Sequence, residues 1–323
     1  MISSQYKQVF KVNLIFLGLC LFLLPFESKE AHHTSPLFGQ QETSSDIALF
    51  WASPYQIIDG VATKGFVNLS ELLPYSEDES LTALLPDYQL DKGEDAIAMS
   101  PEQKKLMFER MKLSNKDSLY IYNFNSDRVH RFSLGELSAM AYVNLYRRGE
   151  KYLNEYDYAF GLNLEDQYDE PGNNFAYIGR ENLFQTGNIR PMFWTMADPD
   201  DFPIQKPWMQ QDSARLAFIM HHNDYRYHLL SFKVDQRPYY HLVFTETVTG
   251  SVISELTYAR SESIFLRPIA KEDDKEAYSW TGAIFKGKAP IIYGMYSDSF
   301  GCPSVQFIDK NEPPIPIRCD NRH

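Results

Sequence analysis

The chain lacks most of the signatures that announce a chemistry. It has no Gly-x-Gly-x-x-Gly or Walker loop, so nothing marks a nucleotide site. It has no Gly-x-Ser-x-Gly elbow; Gly250-Ser251-Val252 belongs to a hairpin. Lys and Arg number 31 against 43 Asp and Glu, and no segment gathers a basic stripe. Nucleic acid and anionic membrane surfaces both need clustered cations, so neither is an expected partner. No fixed repeat with a shared signature emerges, so a propeller is not assigned, although the succession of hairpins leaves it open. Apart from one run near the N-terminus, no stretch is apolar for long enough to span a bilayer.

That one run is informative. Lys7 and Lys11 precede the apolar residues 14–26, LIFLGLCLFLLPF. A basic start followed by an apolar stretch of this length matches a secretory signal peptide over residues 1–28. Ser28 or Ala31 offers a cleavage point, but Phe26 and Lys29 occupy places where a second small residue belongs. The alternative is an uncleaved signal anchor, the only route by which this chain would meet a membrane. The expected location is therefore periplasmic or secreted, or membrane-tethered if the anchor stays. Residues 29–45 are polar and without periodicity, a linker.

Cysteine is scarce, with 3 in the whole chain. Cys20 falls inside the leader, which leaves Cys302 and Cys319. They flank PSVQFIDKNEPPIPIR, which reads as strand, turn and strand. Folding that hairpin brings the two thiols together, and export makes a disulfide the expected product. Closing such a loop contributes about 3 kcal/mol in the chain-entropy model.

What is abundant is aromatic and β-branched character: 21 Tyr and 22 Phe favour strands. The expected fold class is α+β, mainly antiparallel β arranged as a meander, sandwich or curved sheet, with two short to medium helices in the N-terminal half. Residues 46–208 form a mixed part and 209–323 a β part, or the two make one continuous domain. The first helix opens at Ser100, Pro101 and Gln103, a capping box, and runs to about Leu113 with Met107, Phe108 and Met111 inward. A hairpin turns at Asn125-Ser126-Asp127. Ser133 and Glu136 then resemble a second capping box, for a helix over 134–148 ended by Gly149. Residues 150–208 are the least legible, with strand-like pieces YAFGLNL, NFAYIG and PMFWTMA. The acidic loops 165–170 and 198–201 lack the ligand order of a calcium loop. Asn68-Leu69-Ser70 fits a glycosylation sequon in a eukaryotic source.

Residues 214–260 carry the clearest pattern, a four-strand antiparallel meander. A turn at Asn223-Asp224 sets His222 against Tyr225, Met220 against Tyr227 and Phe218 against Leu229. A three-residue loop with Gly250 in a G1 bulge sets Tyr240 against Tyr258, Leu242 against Leu256 and Glu246 against Val252. One face is apolar. The other carries His221, His228, His241 and Glu255, which hold zinc if their side chains converge, since neutral imidazole is a favoured ligand.

Function is then an expectation by elimination. The reading is an exported, non-enzymatic β-rich protein that binds or inhibits another macromolecule, a protein or envelope component, through its sheet surface. The alternatives are an extracytoplasmic metal-dependent or carboxylate hydrolase built on the histidine face, and a small-ligand or carbohydrate site in an aromatic pocket.

Overall fold

Strand Ser118–Asn123 is buried at every position, so it needs a covering layer on both faces. The rest of the architecture follows from that demand. The computed structural model describes residues 47–319, except 55–56, 59–60, 63–64, 75–80, 86–94, 166–167, 169–172, 212–213 and 300. The leader, the linker, Cys20 and part of the acidic loop 165–170 lie outside the described residues.

Four antiparallel sheets stack one on another. In the first, Ala52–Pro54, Gly65–Asn68, Tyr158–Glu165, Ser138–Val143 and Ala96–Ala98 lie side by side. The second orders Leu49–Phe50, Asn174–Gly179, Ser118–Asn123 and Arg128–Ser133. The third orders Arg190–Pro191, Trp280–Gly282, Ile291–Tyr293, Ser304–Phe307 and Ile315–Pro316. The fourth is the meander Leu216–His222, Tyr225–Val234, Arg237–Glu246 and Val252–Ala259, preceded by Thr195–Ala197.

The period of two distributes side chains between the layers. Leu119 and Ile121 face the first sheet, against Phe160, Leu162 and Ala141. Their neighbours Tyr120 and Tyr122 face the third, against Phe184, Trp280 and Phe285. In the third sheet Ile291 packs back toward the second, while Ile292 packs forward on Phe218, Tyr227, Leu242 and Phe244 of the fourth. Gly161 lets strands approach: a Cβ there would sit 2.0 Å from the Val67 carbonyl.

One α-helix is present among the described residues, Pro101–Arg110. Ser100 Oγ accepts from the Gln103 amide, and the Gln103 side chain accepts from the Ser100 amide. Met107, Phe108 and Met111 are buried as its sequence requires.

The second expected helix, over 134–148, does not form. Residues Ser138–Val143 are a strand between Tyr158–Glu165 and Ala96–Ala98. Ala139, Ala141 and Val143 face the core, and Tyr142 packs edge-on to Phe66 on the other face. Local helix propensity gave way to two ready strand partners. The Ser133–Glu136 pair closes only a turn.

In the meander the expected pairings through Phe244↔Ser254 are found, with Tyr240 opposite Tyr258 and Leu242 opposite Leu256. The expected Glu246↔Val252 pair is not. Thr245 faces Val252, so the bulge sits at Ile253, although Gly250 does take a positive φ of 70°. Ser254 Oγ donating to the Ile308 carbonyl ties the strand, just after the bulge, to the residue that follows Ser304–Phe307 of the third sheet.

Candidate functional site

The histidine face of the fourth sheet is covered over His228 and His241, while His221 and Glu255 stay exposed. Segment 198–211 crosses it as a strap. Phe202 and Met209 are buried against Ala217, Leu230, Phe232 and Val243, and Trp208 stacks near Phe232 with centroids 5.2 Å apart. The strap is short of periodicity because two 3-10 turns, Pro199–Asp201 and Pro207–Gln211, build it; this is why the sequence pattern missed its role.

A tight turn at Asp235-Gln236, both at positive φ, sets Leu230 opposite His241 and His228 opposite Val243. His228 and His241 are therefore diagonal neighbours, each with its ring near Phe202, at 6.3 and 5.8 Å between centroids. Each is used up locally. His228 Nε2 lies 3.1 Å from Thr245 Oγ1. His241 Nδ1 lies 2.7 Å from Thr257 Oγ1, and its Nε2 is 3.1 Å from Glu255 Oε2, off the direction of a good hydrogen bond. Glu255 is drawn to Lys206 Nζ of the strap, at 2.7 Å. His221 is exposed, opposite Arg226.

Among the described residues these ligand atoms do not gather into a group that could hold a metal. The reason is the flat pleat: diagonal positions leave side chains roughly 7–8 Å apart unless a bulge focuses them. Among the described residues, the one cluster with suitable atoms is Glu71, Cys302 and Cys319, and its two sulfurs are joined.

Burial under the strap sets the electrostatics. It pushes His241 down to about 4, with Lys206 adding to the effect and Glu255 opposing it. Burial also lowers His228 to about 4, helped by Arg226 and His221. Lys206 holds the Glu255 carboxyl below its ordinary range. Both histidines are neutral packing groups at neutral pH.

The expected disulfide is present: Cys302 and Cys319 are bonded with Cα atoms 5.6 Å apart. The tryptophans open to an aromatic-pocket reading are spent on packing; Trp194 and Trp280 are buried. The depression lined by Met99, Pro101, Lys104, Asn115, Gly135 and Ser138, about 350 Å³, contains no aromatic ring. In it, Lys104 Nζ already donates to the Gly135 and Leu137 carbonyls. The acidic turn 198–201 is self-capped, with Asp198 Oδ1 accepting from the Asp200 amide and Asp200 paired to Arg215.

One exposed feature gave no sequence signal, its start falling in the expected helix 134–148 and its remainder in the patternless stretch after Gly149. Loop 144–157 links two strands of the first sheet and is closed at its neck by the Asn144 amide donating to the Asp157 carbonyl at 2.7 Å. Asp157 uses both carboxylate oxygens inside the loop, on Arg147 Nε at 2.9 Å and the Asn154 amide at 2.8 Å. Leu153 plugs into the core. Outside this neck stand Tyr146, Tyr152 and Tyr156, at 70%, 78% and 44% exposure. Lys151 Nζ sits 5.2 Å from the Tyr152 ring centre. Arg148 is set beside them by Asp95, at 3.1 Å.

No known protein-family model matches this chain, and neither a curated protein nor a solved structure is significantly similar to it.

Proposed function

We propose that this is an exported, non-catalytic protein that binds another macromolecule, and that loop 144–157 is its principal contact. The observation carrying the reading is the set of three exposed tyrosines on a loop held by a buried aspartate. Tyr and Arg are the residues that dominate binding energy at protein interfaces, and a loop already fixed in shape loses little entropy on docking. Export is supported by the leader-like N-terminus and by the disulfide, which persists only outside a reducing compartment. The broad sheet faces are the weaker choice for a partner, because other layers or the strap cover most of them.

The test is capture from native envelope or extracellular extract by immobilised protein, set against the Tyr146→Ser/Tyr152→Ser variant. Loss of at least about tenfold in the captured species is expected, as for removal of two interface anchors. Capture that the double variant leaves unchanged rules the loop out.

A further inference from the structure

Sheet edges in this molecule are short, with two exceptions. The first sheet ends in strands of 3 residues on both sides, and the third in strands of 2. The fourth sheet opens with a strand of 3 but closes with Val252–Ala259, 8 residues long. The other long edge, Arg128–Ser133, carries Arg128 and Arg131, and the Ser133 carbonyl is taken by the Glu136 amide. Charge and a turn of this kind are how an edge is guarded.

Val252–Ala259 has a bulge at its start and the strap's Lys206 on Glu255, but among the described residues no strand pairs with its outer side. The Arg260 amide donates to the Pro238 carbonyl, which fixes the phase of the ladder: positions 256, 258 and 260 bond inward. Glu255, Thr257 and Ala259 therefore turn their N–H and C=O groups outward, and no main-chain partner takes them among the described residues. Three consecutive outward positions at strand spacing fit one ligand shape, an extended chain.

We infer that strand Val252–Ala259 docks an extended, lysine- or arginine-bearing segment of a partner protein as a sixth strand of the fourth sheet. Charge selects this occupant over a second copy of the chain. Glu246 and Glu262, both exposed, flank the strand without an ion-pair partner among the described residues; Glu255 between them is already paired with Lys206 and leaves the selection to these two. The single cation of the strand's end, Arg260, rests over the Phe265 ring at 5.5 Å. The chain as a whole carries a net charge of −12, which repels its own copy and attracts a basic segment.

The probes are two synthetic octapeptides, one alternating valine with lysine and one alternating valine with glutamate. Amide exchange at Glu255, Thr257 and Ala259 is followed by NMR or mass spectrometry. The lysine peptide is expected to slow these amides, with a preference of about tenfold or more over its twin at low salt that shrinks as salt is added. Ala259→Pro removes an outward donor without touching the inward ladder and should abolish protection. Should that variant misfold, Glu246→Lys/Glu262→Lys, on exposed positions, should reverse the peptide preference. Protection by neither peptide, equal protection by both, or protection that rises with protein concentration alone overturns the inference; the last outcome means self-pairing. The tyrosine loop is read by a different variant, so failure here leaves the loop reading standing, and the reverse.

Discussion

The two faces of the fourth sheet are built from alternate residues of the same strands, yet they are held by different physics. The face toward the third sheet is closed by Phe218, Tyr227, Leu242 and Phe244, all buried among apolar neighbours. The face under the strap mixes Leu230, Phe232 and Val243 with His228, His241 and Thr245. One face is sealed mainly by area removed from water; its one histidine among the described residues, His222, sits at the hairpin end beside the Asn188 carbonyl, with a pKa lowered by burial. The other is sealed by a loop whose fit depends on two imidazoles staying neutral and on a lysine reaching a glutamate. Burial alone does not make two faces equivalent; what the buried groups can do with a proton separates them.

Three measurements sharpen or break that contrast. The largest effect belongs to the apolar face: Phe244→Ala should cost about 3–5 kcal/mol in denaturant unfolding, by lost transfer and a residual cavity. A cost below about 1 kcal/mol would mean the face is not tightly packed.

Next is acid. His241 is held near 4 in the folded protein against 6.5 when unfolded. The unfolded chain therefore takes up a proton first, so stability is full above about pH 7 and falls between about 6.5 and 4, by up to about 3 kcal/mol for this residue. His228 adds in the same direction. Glu255, whose pKa is lowered, is lost only when pH falls further, through the carboxylate range. Stability measured against pH should show this slope in the parent protein and a shallower one in His241→Gln. A slope unchanged by that substitution would sink the assignment.

The smallest effect is the tether. Lys206 and Glu255 are both partly exposed, so Lys206→Met should change global stability by about 1 kcal/mol or less. It should still quicken amide exchange across the strap. Equal exchange in both proteins would show that Phe202 and Trp208 hold the strap without it.

The meander was legible because its alternation is strong and register follows from it: a slip of one residue would put Phe218 and Leu242 into the strap face. The capping box at Ser100 and the disulfide hairpin were legible for a similar reason, each being a local geometry written in adjacent residues. The strand Ser138–Val143 was not. Its residues Ala139, Met140, Ala141 and Tyr142 suit either period, and the decision came from Tyr158–Glu165 and Ala96–Ala98, neither of which is next to it in sequence in a way the pattern reveals. The histidine cluster was correctly placed on one face. Its failure to converge depended on the strap and on Thr245 and Thr257, which carry no sequence signal of their own. Of the tyrosine loop only Tyr146 fell in the misread helix; Tyr152 and Tyr156 lay in the stretch after Gly149 that shows no clear pattern.

The beginning and end of the described chain are joined. Leu49 pairs with Tyr177 on one side and bridges to Ile317 on the other, and the Arg318 amide, next to the bonded Cys319, donates to the Leu49 carbonyl at 2.6 Å. Synthesis must pass Ile317 before the opening strand acquires its last neighbour. Until then that edge stays unfinished. Closure waits for residues 317–319, and the bond from Cys319 back to Cys302 then fixes them.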